Sequence, residues 1–469
     1  MRGKTLLILT VVVLGVGAFI WLYGRHQPGT DELVEQADKV LPGFETDAVV
    51  EVRVDGGAAP VTLAKQGDAW RLTAPLDFPA DDSKVTTLLS SLANLKADRR
   101  LPTAEVDPAD YGLDDPPFRV TLVDASGAET VVNIGDETPL GAKRALRVDD
   151  HPELILTAAY FVSDLGRSVD DWRSRDVVDL LPDQVASIDV LAGSDRIRVV
   201  RVKDRWQLLE PLEDLADRDH IRNLIADLNA MRITTFIDGE PDDEALGLVQ
   251  PAFEVTVVRS DGGEPVRLAL GVTRDHDGAT EVACRRGDHD PFWVNEPARI
   301  RLAKAPVRWR SAKVWPFDAW DVESLTIAAA GDEITLDRST GAWKVSDGSP
   351  ADSAAVQDRL TALADLTADQ FDLTEPPTAE IGRVTLGFEG SGDGDGESDQ
   401  GAKVELVFHR PLVEGGNAMV VVSARPTVMG VPMAEVDAIL ADPAALREAV
   451  EPTPSTAPAS SDTEVAPTD

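Results

Sequence analysis

Residues 185–211 read VASIDVLAGSDRIRVVRVKDRWQLLEP, and the stretch has a counterpart on either side of it in the chain. Upstream stand VVEVRV at 49–54 and VTLAKQGDAWRLTAP at 61–75; downstream stands VESLTIAAAGDEITLDRSTGAWKV at 322–345. Trp70, Trp206 and Trp343 occupy the same place in the three copies, 136 and 137 positions apart. In each copy, alternating apolar residues (Val50, Val52, Val54; Ile188, Val190; Leu325, Ile327) read as half-buried strands at period two. Gly67-Asp68, Lys203-Asp204 and Thr340-Gly341 punctuate a hairpin before the Trp strand, so the unit opens as an antiparallel meander.

An Ala-Asp pair follows each Trp strand, at Ala80-Asp81, Ala216-Asp217 and Ala351-Asp352. A short acidic side chain there can accept from the free N–H groups of a helix start. The apolar positions that follow share one helical spacing: Val85, Leu88, Leu89, Leu92, Leu95 in the first copy and Ile221, Leu224, Ile225, Leu228, Met231 in the second. The third keeps Val356, Leu360, Leu363 and Leu366. The second half of the unit recurs too. GLDDPPFRVTLV from Gly112 matches GLVQPAFEVTVV from Gly247, Ile134-Gly135 matches Leu270-Gly271, and Trp172-Arg173-Ser174 matches Trp309-Arg310-Ser311. The third copy diverges here, with RVTLGFEG, an insertion GSGDGDGESDQG, then KVELVFHRP and AMVVVSA.

The expected fold is therefore α+β: three tandem modules of mainly antiparallel β meander with one packed helix each, after a single N-terminal transmembrane helix. The boundaries read as 1–24 for a cytoplasmic stub and anchor, 25–44 linker, 45–178 module 1, 179–316 module 2 and 317–449 module 3 with an acidic insertion at 390–401. Segments around Trp172 to Pro182 and Trp309 to Phe317 would join the modules. Residues 450–469, rich in Pro, Ser, Thr and Ala, form a tail that cannot bury a core.

Leu6 to Tyr23 (LLILTVVVLGVGAFIWLY) is an uncharged apolar run. At ~1.5 Å rise per residue it reaches about 27 Å, nearly the thickness of a bilayer core. Arg2 and Lys4 precede it, Trp21 and Tyr23 stand at its far end, and Asp31, Glu32 and Glu35 follow, so the short N-terminus stays in the cytoplasm and the bulk lies outside. The rival is a cleaved signal peptide; Gly15 and Gly17 are small enough for a cleavage site but lie inside the run. The localisation expected is the cytoplasmic membrane, single-pass, with periplasmic or extracytoplasmic modules.

With 45 basic and 83 acidic residues the chain carries −38 at pH 7, which repels nucleic acid and anionic lipid. A single cysteine, Cys284, excludes an intrachain disulfide, and its place in a strand pattern marks it as an inert buried thiol.

Candidate chemistry is thin. Asp275-His276-Asp277 and Asp288-His289-Asp290 carry metal-ligand types, but the strand-like ATEVACRR between them sets them ~20 Å apart as two polar turns. Asp393 to Asp399 resembles the front of a calcium loop, yet Ser398 stands where the turn glycine is needed and Val404 where the closing glutamate belongs. His220 and His409 have no serine or cysteine motif beside them, and phosphate-binding, nucleophile-elbow and zinc-protease motifs are missing. No catalytic, cofactor or metal residues are assigned. The singled-out positions are structural: Trp70, Trp206, Trp343, Asp81, Asp217, Asp352, Trp172 and Trp309. A stripe of sugar- or peptide-stacking tryptophans is the competing reading of the first three.

The anchor, GDAWRLTAP and KDRWQLLEP, the Ala-Asp helix starts and the GL-x-x-P-x-F-x-V-T segments together resemble the bacterial domain-of-unknown-function 4340 family, over roughly residues 1–450. The resemblance implies an extracytoplasmic accessory protein near ABC transporters of the gliding-motility type, with no catalytic residues to carry over. The expected function is thus a non-catalytic membrane-anchored binding or scaffold protein with a protein partner in an ABC-type transporter or envelope complex. The alternatives are an envelope hydrolase acting on glycans or peptides, a folding factor, or a passive structural protein.

Overall fold

A computed structural model of the chain describes residues 38–57, 59–138, 143–203, 205–338, 341–373, 379–388 and 403–448. The apolar run Leu6–Tyr23, the insertion 390–401, the tail 450–469, and Asp204 and Thr340 of the expected hairpins lie outside the described residues. Among the described residues no helix is long and apolar enough to cross a membrane. They form two compact units divided between Asp176 and Val177.

The first unit holds one sheet of nine strands. In chain order these are β1 (Val49–Gly56), β2 (Val61–Gln66), β3 (Ala69–Ala74), β4 (Phe78–Pro79), β5 (Arg99–Pro102), β6 (Phe118–Asp124), β7 (Glu129–Glu137), β8 (Lys143–Val148) and β9 (Glu153–Ala158). Their order across the sheet is β4-β3-β2-β1-β6-β7-β8-β9-β5, with antiparallel pairing throughout. Between β4 and β5 the chain forms helix α1 (Asp82–Ala93), which carries it to the far edge. Val85, Leu88, Leu89 and Leu92 of α1 share one buried cluster with Val52 of β1, Leu63 of β2, Trp70 of β3, Leu122 of β6, Ile134 of β7 and Ile155 of β9. Both halves of the sheet therefore fold their apolar face onto a single helix.

The second unit repeats this plan. Its first sheet contains β10 (Val185–Ala192), β11 (Asp195–Val202), β12 (Arg205–Glu210), β13 (Asp214–Leu215), β14 (Ile233–Phe236), β15 (Phe253–Arg259), β16 (Val266–His276), β17 (Ala279–Arg286) and β18 (Phe292–Asn295), in the order β13-β12-β11-β10-β15-β16-β17-β18-β14. Helix α2 (Arg218–Asn229) buries Ile221, Leu224, Ile225 and Leu228. The second sheet has seven strands, β19 (Val322–Ala329), β20 (Asp332–Asp337), β21 (Lys344–Val345), β22 (Glu380–Phe388), β23 (Lys403–His409), β24 (Ala418–Val422) and β25 (Arg425–Val431), in the order β21-β20-β19-β22-β23-β24-β25, with helix α3 (Ser353–Asp365). Three antiparallel sheets of one topology make the protein a tandem repeat of α+β modules.

Several expectations change in detail. Val49 rather than Val50 faces the core, because β1 bulges between Val49 and Glu51; β10 and β19 bulge at the same place, between Val185 and Ser187 and between Val322 and Ser324. A bulge inserts one residue and shifts which side chain points inward. Each module also has more than one helix: Val162–Leu165 and Val169–Trp172 end the first, Pro297–Leu302 ends the second, and α4 (Met433–Leu440) ends the third. The sequence of the third copy diverges in its second half, but its β22–β25 retrace β6–β9, and the two edge strands shrink to bridges, Lys344 with Pro350 and Gln370 with Gly430. Finally, residues 38–44, read as linker, belong to the first unit: Val40 and Leu41 sit in its core, and Val40 N donates to Leu95 O at 2.8 Å.

Candidate functional site

The repeated residues are the natural place to look for a site, and each of them is engaged in holding its own module. Trp70, Trp206 and Trp343 are buried, and their backbone carbonyls accept from the N–H of Ala80, Ala216 and Ala351. The following aspartates cap the helices. Asp81 accepts from Ser83 N and Lys84 N, Asp217 from His220 N, and Asp352 from Ala354 N and Ala355 N. Burial works against the Asp81 carboxylate, but its bonds to Ser83 and Lys84 prevail and its pKa lies below the usual carboxylate range.

Trp172 and Trp309, expected in segments between modules, are fully buried and close the module they end. Their carbonyls accept from the N–H of Asp81 and Asp217, and Leu446 does the same for Asp352. Ala80, Ala216 and Ala351 pair with Arg173, Arg310 and Arg447 beside these bonds. Leu446-Arg447 is thus the third counterpart of the Trp-Arg pair, again 137 positions on. A search by tryptophan misses it, because the position takes another large apolar residue.

A buried ion cluster joins the second and third modules. Asp214 on β13 accepts from Arg310 Nε at 2.6 Å and from Arg425 Nε and Nη2 on β25, the latter at 3.1 Å. Arg310 also binds Asp372 and, at 3.0 Å, the Thr427 hydroxyl. Arg425 reaches the carbonyls of Lys313 at 2.7 Å and Ser311 at 2.9 Å. The side chains of Asp214 and Arg425 are 0% exposed and that of Arg310 is 3% exposed. Burial disfavours the Asp214 carboxylate, but Arg425 and Arg310 outweigh it and hold its pKa below the usual carboxylate range. The Phe371 ring lies 4.5 Å from the Arg310 guanidinium and 5.7 Å from that of Arg425. Leu215 enters the core of the third module with Val314 and Trp315. Nothing in the local sequence around Asp214 or Arg425 announces this cluster, since its members come from four distant segments.

The sequence-level chemical candidates separate in space. Asp275–Asp277 and Asp288–Asp290 stand at opposite ends of β17, and among the described residues no group of three or more His, Cys, Asp or Glu side chains is placed to hold a metal ion. Asp393–Asp399 lies outside the described residues. Cys284 is fully buried on β17, and burial pushes its thiol up to about 12. His220 faces Trp309, ring centroids 4.6 Å apart, with Nε2 buried and unbonded. Burial, with Lys304 and Arg301 near it, brings its pKa down to about 4. An imidazole held at this pKa is neutral near pH 7 and packs against the indole.

Three clefts stand out among the described residues. One of about 440 Å³ in the first module is lined by Val40, Leu41, Leu122, Ile155, Arg100 and His151, among others. A second, of about 380 Å³, gathers Glu105, Asp107, Asp110, Asp136 and Glu137. The third, of about 640 Å³, lies between α4 and the loop around Val413.

A family model described as "Domain of unknown function (DUF4340)" matches residues 70–251 and again 244–385. No curated protein matches the sequence. Among solved structures, the DNA polymerase III subunit beta from Pseudomonas aeruginosa aligns at 9% identity over 85% of this chain and 96% of that one, with a TM-score of 0.16, a level that establishes no common fold.

Proposed function

Since the chain belongs to the family described as a domain of unknown function (DUF4340), whose description names no reaction, we propose from its own geometry that it is a non-catalytic, membrane-anchored extracytoplasmic binding or scaffold protein. In this reading Leu6–Tyr23 holds it at the membrane and the modules serve an ABC-type transporter or envelope complex as an accessory. The observation that carries the reading is the use made of the repeated and buried polar groups. Asp81, Asp217 and Asp352 cap helices, and Asp214, Arg310 and Arg425 join two modules into one unit. Such an architecture multiplies surface, as repeat proteins do when they serve as binding platforms.

Affinity purification of the full-length chain from membranes solubilised in mild detergent tests this. Transporter subunits are expected to co-purify. Their absence, or release of sugar or peptide fragments from envelope material by the purified chain, overturns the proposal.

A further inference from the structure

The joint between the second and third modules shows how one module's leading face is covered. The segment Lys313-Val314-Trp315 runs along the residues after α3, with Val314 N bonded to Leu366 O at 3.0 Å, and Arg425 grips the Lys313 carbonyl. Onto this face the preceding module sets an acid and an aliphatic side chain, Asp214 and Leu215.

The first module has the same kind of face. Lys39-Val40-Leu41 runs along the residues after α1, with Val40 N on Leu95 O at 2.8 Å and Ala97 N on Asp38 O at 2.7 Å, and Arg100 donates to the Lys39 carbonyl at 2.7 Å. The cleft of about 440 Å³ opens here, with Val40 and Leu41 in its apolar wall and both the basic Arg100 and His151 and the acidic Glu45 and Asp124 among its polar groups.

Charge sharpens the picture. Lys39 and Lys96 are directly opposite in an antiparallel bridge, and the flanking hydrogen bonds make theirs the close, non-bonded kind of pair. Like charges so placed destabilise a sheet. Neither ammonium has a carboxylate partner among the described residues, whereas in the third module Lys313 faces Thr367 and binds Asp365 at 2.8 Å. In a chain of net charge −38, this basic pair thus stands without a carboxylate partner among the described residues, beside a cleft of mixed apolar and polar lining.

We propose that this face of the first module docks a partner protein through an exposed segment carrying a carboxylate next to an aliphatic side chain, seated as Asp214 and Leu215 are seated on the third module. The proposal rests on the scaffold reading and names its docking face. That face starts 15 positions after Tyr23, within about 50 Å of the apolar run even if the chain between is fully extended, which suits a membrane-bound partner. An anionic bilayer is the weaker fit, because the remaining charge of the chain repels it.

The test places a photo-crosslinking amino acid at His151 of the full-length chain in its native membrane. A single partner protein is expected, with the crosslinked peptide bearing Asp or Glu beside Leu, Ile or Val. Lys96→Glu, which sets an acid opposite Lys39, is expected to raise the melting temperature of the purified chain and to cut the crosslink about tenfold. Crosslinks to residues 25–37, to a second copy or to lipid overturn the proposal, as does a yield indifferent to Lys96→Glu or no crosslink. If transporter subunits still co-purify in those cases, the docking face alone is wrong; if they do not, the scaffold reading falls with it.

Discussion

His220 illustrates how far a residue's chemistry depends on its surroundings. In sequence it is one polar side chain near an apolar helix stripe; in the fold it lies against Trp309 with its Nε2 enclosed. Its folded pKa of about 4 lies below the ordinary 6.5 of an imidazole. Above pH 6.5 the group is neutral folded or unfolded and adds no pH dependence. As pH falls below 6.5 the unfolded chain takes up a proton that the folded chain refuses, so stability declines until about pH 4, where the folded ring also protonates. Between pH 7 and pH 5.5, above the range of most carboxylates, this amounts to about 1 kcal/mol. Urea denaturation at those two pH values is expected to show that loss in the native chain and its disappearance in His220→Phe; equal losses in both would remove His220 as the cause.

At the scale of elements, local chemistry explains most of what the fold does. The Ala-Asp pairs mark helix starts because an aspartate in extended conformation can accept from the first free N–H groups of the helix. The paired Ile134-Gly135 and Leu270-Gly271 have an equally local reason. A Cβ on Gly135 would lie 2.1 Å from the Tyr111 carbonyl oxygen, and one on Gly271 2.0 Å from that of Leu246, so the GL segment can close over the strand only where the side chain is missing. Gly271→Ala is expected to cost about 2–3 kcal/mol in urea denaturation. Gly193→Ala, where φ is +61° but nothing lies within 4 Å of the added Cβ, should cost nearer 1 kcal/mol. Equal costs at the two sites would show that backbone conformation, and not the close approach, sets the glycine requirement.

At the scale of the molecule, the second and third modules share one compact unit, and Asp214 binds two buried guanidinium groups at their joint: it is the carboxylate of Arg425 and shares Arg310 with Asp372. Removing one partner of such a cluster strands the others, at about 3–5 kcal/mol. Asp214→Ala is therefore expected to lower the stability of the second unit by that amount and to separate its thermal unfolding into two calorimetric transitions, one per module. A single, unshifted transition would show that apolar packing around Leu215 and Trp315 holds the joint by itself.

The repeat, its α+β class, the three meanders, the helix caps and the core tryptophans were legible in sequence, because period-two and helical patterns and capping residues act over a few positions at a time. How each module closes was not. Trp172 and Trp309 stand out in sequence as a repeated position, and only the fold brings their carbonyls to Asp81 and Asp217. The bulges that turn Val49, Val185 and Val322 inward depend on the register of neighbouring strands, and the Asp214 cluster draws together residues up to 211 positions apart. The same holds for the opposed lysines of the first module: Lys39 and Lys96 become a pair only when the chain before β1 returns to lie against the residues after α1. Pattern reports which faces of an element are apolar; which charged groups meet across distant elements is settled by topology, since no local signal records the partner.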